Sequence, residues 1–124
     1  MREIKFRAWD KVSKKILYQE SLAILTNGKV IITAPKVLDV NQKDETYLDR
    51  TGEFEIQQFT GLLDKKGKEI YEGDIIGEKE VYFDKKTASF DLKGSNLRLW
   101  ASAGINEIQG NIYENPELLK QNYE

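Results

Sequence analysis

The sequence predicts a mainly β protein. Apolar residues recur at alternate positions along most of the chain. Turn-forming Gly and Asn residues interrupt them at intervals of about 8–12 residues, and only one short stretch near the C-terminus reads as a helix start.

The elements follow in order. Ile4, Phe6 and Ala8 alternate with Lys5, Arg7 and Trp9, so each trio lies on its own face of a first strand. Residues 10–15 are polar and predict a turn, and residues 16–18 return as a second strand, closing a hairpin. Asn27-Gly28 tolerates positive φ and sits between Ala23-Ile24-Leu25 and Val30-Ile31-Ile32, a second hairpin. Pro35 ends that run. Residues 37–40 read as one more short strand, and residues 41–52 as a polar loop or boundary.

Strands resume at Glu53. Phe54 and Ile56 share one parity and Phe59 the other, a slip that predicts a bulge or bend near Gln57 and Gln58. Asp64-Lys65-Lys66-Gly67-Lys68 is a turn with Gly67 in the left-handed position. Glu72-Gly73-Asp74 is a second turn, feeding Ile75-Ile76. Val81 and Phe83 share a face, Lys85-Lys86-Thr87 turns the chain, and Ala88, Phe90 and Leu92 share the next face. Gly94-Ser95-Asn96 precedes a strand carrying Leu97, Leu99 and Ala101. Ile108 and Ile112 finish the alternation around Gly110, where a bulky side chain is not expected to fit. Asn115-Pro116-Glu117-Leu118-Leu119 starts a short C-terminal helix, with Asn as N-cap and Pro at the first helical position. The chain thus divides into an N-terminal β-hairpin subdomain over residues 1–52 and a small barrel or sandwich with a helical turn over residues 53–124. The likeness between the turns after Asp10 and Asp84 is shared turn chemistry, not a repeat.

Composition limits the chemistry. Leu, Ile, Val and Phe make up about a quarter of the chain, enough for a core. Nineteen basic residues against 21 acidic ones leave a net charge of −2, which argues against coating nucleic acid by bulk charge. There is no Cys and no His, so disulfides, thiolate nucleophiles, Cys-based zinc sites and a Ser-His-Asp triad are excluded. No apolar run reaches the roughly 18 residues a membrane helix needs. The charged N-terminus does not read as a signal peptide, so the expected location is the cytoplasm, with no membrane contact.

Four constellations carry possible function. Gly61 to Gly67-Lys68 imitates a phosphate loop but has one residue too many between the glycines, and Glu69 stands where Ser or Thr would hold magnesium. Asp64, Glu69, Glu72 and Asp74 cluster with Lys66 and Lys68, the set a magnesium-dependent nuclease would use. In a chain this rich in charge the plainer account is that Asp64 and Asp74 bond turn backbone and the others are solvated. Lys5, Arg7 and Trp9 share a strand face, and cations beside an aromatic ring suit single-stranded nucleic acid. The lysine pairs at 14–15, 65–66 and 85–86 add phosphate contacts, or simply keep turns soluble. Trp9, Trp100, Tyr71, Tyr82 and Tyr113 are residues that protein interfaces favour, with Arg98 and Trp100 facing outward; Tyr71 and Tyr113 serve equally as core residues.

Three segments carry a resemblance: Met-Arg-Glu-Ile-Lys-Phe-Arg-Ala-Trp-Asp at the start, Phe-Thr-Gly-Leu-Leu-Asp-Lys-Lys-Gly-Lys-Glu-Ile-Tyr-Glu-Gly-Asp-Ile-Ile at 59–76, and Gly-Asn-Ile-Tyr-Glu-Asn-Pro-Glu-Leu-Leu at 110–119. In kind, order and spacing they resemble the YopX family of phage and prophage proteins. Residues 20–52 and 84–105 carry no match. The resemblance implies an SH3-like barrel in the later part, a phage or prophage origin in a bacterial host, and self-association. It implies no reaction and no catalytic residues. The expectation is a mainly β accessory protein without catalysis, cofactor or metal, binding itself (a homo-oligomer) or a host or phage protein through some of Lys5, Arg7, Trp9, Tyr71, Asp74, Arg98 and Trp100. Nucleic-acid binding is the alternative, and a magnesium nuclease the less favoured one.

Overall fold

Alternation and local turn chemistry do build a mainly β chain. The computed structural model describes residues 3–18, 52–95 and 98–119 in full, and the backbone alone of 22–24, 30–33 and 47–49. The chain separates into two compact units, residues 6–56 and residues 1–5 with 57–124.

In the smaller unit, β1 (Phe6–Asp10) pairs antiparallel with β2 (Lys15–Leu17), Trp9 opposite Ile16. Asp10 makes the turn between them. Its Oδ1 accepts the Val12 and Ser13 amides at 2.9 and 3.2 Å, and its Oδ2 accepts the Ser13 hydroxyl at 2.8 Å. β3 (Leu22–Ile24) pairs with β4 (Val30–Thr33), the expected second hairpin, though Asn27-Gly28 lies outside the described residues. β4 also pairs with β5 (Tyr47–Asp49), Ile32 opposite Leu48. That strand corrects the loop expected over 41–52. The edge of β4 supplies backbone partners that override a polar local composition. The strand expected at 37–40 lies outside the described residues. Ala8 and Phe54 form an apolar cluster with Leu17 and Ile56 against it.

β6 (Phe54–Leu63) runs from this unit into the larger one. Phe54 and Ile56 pack into the smaller cluster, while Gln57 and Phe59 are the buried positions that follow. The parity slip seen in the sequence is therefore a change in the buried positions along β6, from Phe54 to Gln57 and Phe59. The irregularity itself lies further on. β6 pairs with β7 (Glu69–Tyr71) with Phe59 opposite Tyr71 and Leu63 opposite Glu69, and the register shifts between those pairs.

The rest of the larger unit is an antiparallel sheet of order β10-β9-β8-β11, comprising β8 (Asp74–Ile76), β9 (Lys79–Asp84), β10 (Ser89–Leu92) and β11 (Gly110–Asn111). Its core holds Ile70, Ile76, Val81, Leu92, Leu99 and Ala103, with Leu62, Phe90 and Ile108 packed against them. Burying such side chains is the main favourable term, about 1.5–3 kcal/mol each.

Two elements differ from expectation. The strand predicted around Leu97, Leu99 and Ala101 is a helical turn, α1 (Leu99–Ala103). Leu99, Ser102 and Ala103 are its buried residues, and that three-then-one spacing is one face of a helix. Alternate leucines fit a strand equally well over so short a stretch. The C-terminal helix is one 3-10 turn, Pro116–Leu118, without a side-chain cap from Asn115. The Asn115 Oδ1 instead accepts the Asn111 amide at 3.3 Å, and a Cβ on Gly110 would lie 2.4 Å from it. That close approach is why glycine stands at 110, as the sequence suggested. Among the described residues no helix is long and apolar enough to cross a membrane.

Candidate functional site

The seven sequence candidates do not form one site. In the smaller unit, Arg7 and Trp9 are 5% and 8% exposed. β1 is buried on both faces from Arg7 to Asp10, so alternation there does not separate a core face from a solvent face. The exposed basic and aromatic strand face expected of Lys5, Arg7 and Trp9 is not presented.

In the larger unit, Lys5, Tyr71 and Asp74 join one hydrogen-bonded chain. Lys5 pairs with Glu69 and, at 3.4 Å, with Glu3. The bond to Glu69 raises the Lys5 pKa above its ordinary value; partial burial opposes the shift and Glu3 adds to it. The Tyr71 hydroxyl donates to the other Glu69 oxygen at 3.2 Å, and the Tyr71 amide donates to Asp74 Oδ2 at 2.8 Å. Phe59 packs against the Tyr71 ring with centroids 5.6 Å apart, and the Lys5 ammonium stands 5.6 Å from the centre of the Phe59 ring. Lys5 meets the Glu3 and Glu69 carboxylates, while the buried Asp74 carboxylate holds the Tyr71 amide across the turn.

The carboxylates proposed for magnesium are likewise taken by the fold. Asp64 is 5% exposed. Its Oδ1 accepts the Lys66 and Lys68 amides at 2.8 and 2.9 Å, and its Oδ2 accepts the Ile108 amide at 2.9 Å. Burial works against ionising Asp64, but the Ile108, Lys68 and Lys66 amides and the Lys68 charge outweigh it and hold the carboxyl below the usual range. Glu72 accepts the Gln58 amide at 2.8 Å. Asp64 and Asp74 thus bond backbone, as the plainer account had it, while Glu69 and Glu72 are bonded as well, not merely solvated. Among the described residues no three acids converge on a point where a metal would sit.

Arg98 and Trp100 stand apart from this bonded interior. Asp91, buried on β10, organises the start of α1. Its Oδ2 accepts Arg98 Nη1 at 2.7 Å and its Oδ1 accepts the Leu99 amide at 3.3 Å. With Leu99 fully buried, the next residue must point away, and Trp100 is 72% exposed. It borders a groove of about 500 Å³ whose lining includes Thr60 and Leu62 of β6, Phe83, Phe90 and Ala88. Phe83 lies opposite Phe90 in the β9–β10 ladder, their rings edge to face at 5.2 Å, and Phe83 is 42% exposed. The Phe pair was not among the sequence candidates. Its signal was there, since Phe83 and Phe90 sit symmetrically about the turn at residues 85–88 and so meet across a hairpin.

A family model described as YopX protein matches residues 5–120. No match was found among curated proteins. Among solved structures, protein EF1440 from Enterococcus faecalis is similar at 25% identity and TM-score 0.66, covering 97% of this chain and 100% of its own. The YopX protein from Bacillus subtilis shares the fold at 20% identity and TM-score 0.54, with the same coverage.

Proposed function

Since the chain belongs to the YopX protein family, we propose that it is a non-catalytic binding module of phage or prophage origin, acting in the bacterial cytoplasm on a protein partner or on a second copy of itself. The larger unit serves as an SH3-like scaffold for this contact. The observation that carries the reading is Trp100. A tryptophan 72% exposed beside a half-exposed Phe83 costs apolar contact with water unless a partner covers it. The nucleic-acid alternative loses two of the three side chains that suggested it, since Arg7 and Trp9 are buried. The nuclease alternative loses Asp64, Glu72 and Asp74 to backbone amides and Glu69 to Lys5 and the Tyr71 hydroxyl.

Light scattering on the wild type and on Trp100→Ala tests self-association, and capture on immobilised protein tests a separate partner. The expected result is a concentration-dependent oligomer, or a specific captured protein, that Trp100→Ala removes without shifting the melting temperature. A wild type that stays monomeric and captures nothing beyond what Trp100→Ala captures would sink the proposal.

A further inference from the structure

We propose that the groove beside Trp100 takes a short acidic peptide segment with apolar side chains, a proposal that rests on the binding-module reading above. The lining of the groove carries no charged residue; besides the aromatic rings it offers the polar groups of Gln58, Thr60 and Ser89. Apolar side chains of a ligand would fill it against Phe83, Phe90 and Trp100. Lys85 and Lys86 do not line the groove but precede two residues that do, since Ala88 and Ser89 continue the turn that begins Asp84-Lys85-Lys86. Lys85 and Lys86 are both exposed, and among the described residues neither has an ion pair. The acid of the same turn is Asp84, whose Oδ1 accepts the Lys86 amide at 2.9 Å, leaving the turn one positive charge in excess. At the start of α1, Arg98 is neutralised by Asp91. The uncompensated charge on the turn that leads into this mixed polar and aromatic groove is therefore cationic, and it complements acidic groups on a ligand.

Nucleic acid would also be drawn to lysines beside aromatic rings, but the geometry suits it less. Phe83 and Phe90 meet at 66°, so they present no flat platform on which successive bases stack. Two lysines do not make a track for a phosphate backbone in a chain of net charge −2.

Titrations of the full chain with three labelled probes test this. The probes are a short peptide alternating Glu with Leu and Tyr, its counterpart with Lys for Glu, and an oligothymidine. Fluorescence polarisation reads affinity, and tryptophan emission reads the place. Of the two tryptophans, Trp9 is buried and Trp100 exposed, so a ligand in the groove blue-shifts only Trp100 and shields it from acrylamide. The acidic peptide is expected to bind at least about tenfold more tightly than the basic one. Trp100→Ala should weaken it about 30-fold, the weight of an aromatic anchor. The pair Lys85→Glu and Lys86→Glu should weaken it about tenfold at low salt and less at high salt. Equal binding of the two peptides, tighter binding of oligothymidine, or no binding of the acidic peptide overturns the proposal. If the peptides fail while Trp100→Ala still removes an oligomer or a captured protein, the groove assignment falls and the binding-module reading stands. If Trp100→Ala changes nothing in any assay, both fall.

Discussion

The larger unit uses the tripeptide Asp-Lys-Lys twice, and the two copies do different work. Asp64-Lys65-Lys66 is anchored outward from itself. The Asp64 carboxylate holds three amides, one of them 44 residues away at Ile108. The Lys65 amide donates to the Asn106 carbonyl at 2.9 Å, and Lys66 pairs with Glu107 at 3.6 Å. Asp84-Lys85-Lys86 bonds mainly within its own hairpin: Asp84 accepts the Lys86 amide, and the Thr87 and Ser89 hydroxyls meet at 2.8 Å. The same residues fold into a similar start, because an Asp side chain bonding the amide two residues on is local chemistry. What separates them is whether the carboxylate also reaches a distant segment. A turn that does so is part of the frame, while one that does not is held only within its own hairpin.

The largest effect should come from cutting the anchored copy. Asp64→Ala removes a charged acceptor from three amides at once. Solvent can reach the exposed Lys66 and Lys68 amides but reaches Ile108 less readily, so a loss of about 2–3 kcal/mol is expected in urea unfolding. Asp84→Ala should cost about 0.5 kcal/mol or less, as a surface change does. Equal costs would erase the contrast. Titration sharpens it. The carboxyl of Asp64 ionises more readily folded than unfolded, so its contribution is complete above the ordinary carboxylate range near pH ~4 and is lost as pH falls through the lower folded value. Stability of the wild type should therefore drop on acidification below pH ~4, and Asp64→Asn should flatten that part of the profile. A variant with an unchanged acid slope would mean that Asp64 is not the group responsible.

The same contrast explains what was legible in the sequence. Turns were legible because their signals are short: Gly67 at φ +83 and Gly73 at φ +86 stand where the turns required them. The Asp64 bond to Ile108 was not, since nothing local marks a partner so far along the chain. Arg7 and Trp9 misled because alternation identifies two faces without saying that both are covered. Trp100 was read as exposed from a strand pattern, and it is exposed, but on a helical turn fixed by Asp91. The acids at 64, 69, 72 and 74 were close in sequence yet are drawn to different amides and cations, which is why they make no common site.

The smaller effects concern the backbone at the last position of each turn. Gly67 takes φ +83 with nothing within 4 Å of where a Cβ would stand. Gly67→Ala is therefore a test of conformation alone, and an L-residue in that region costs about 1 kcal/mol. In the second copy the left-handed position falls to Ala88 at φ +54, a residue type that rarely adopts it. Ala88→Gly should relieve that strain, about 1–2 kcal/mol, against about 0.5–1 kcal/mol of extra freedom in the unfolded chain, for a net gain near 0.5 kcal/mol. Lys14, four residues after Asp10 just as Ala88 is four after Asp84, has φ +60, so the strained position belongs to this turn type and not to the groove alone. If the turn matters only as structure, Ala88→Gly raises the urea midpoint and leaves peptide affinity unchanged. Ala88 also lines the groove, so a more stable variant with weaker affinity would instead mean that its methyl or the stiffness of the Lys85–Ala88 turn contributes to binding, and would put that turn in the binding surface by a measurement independent of charge.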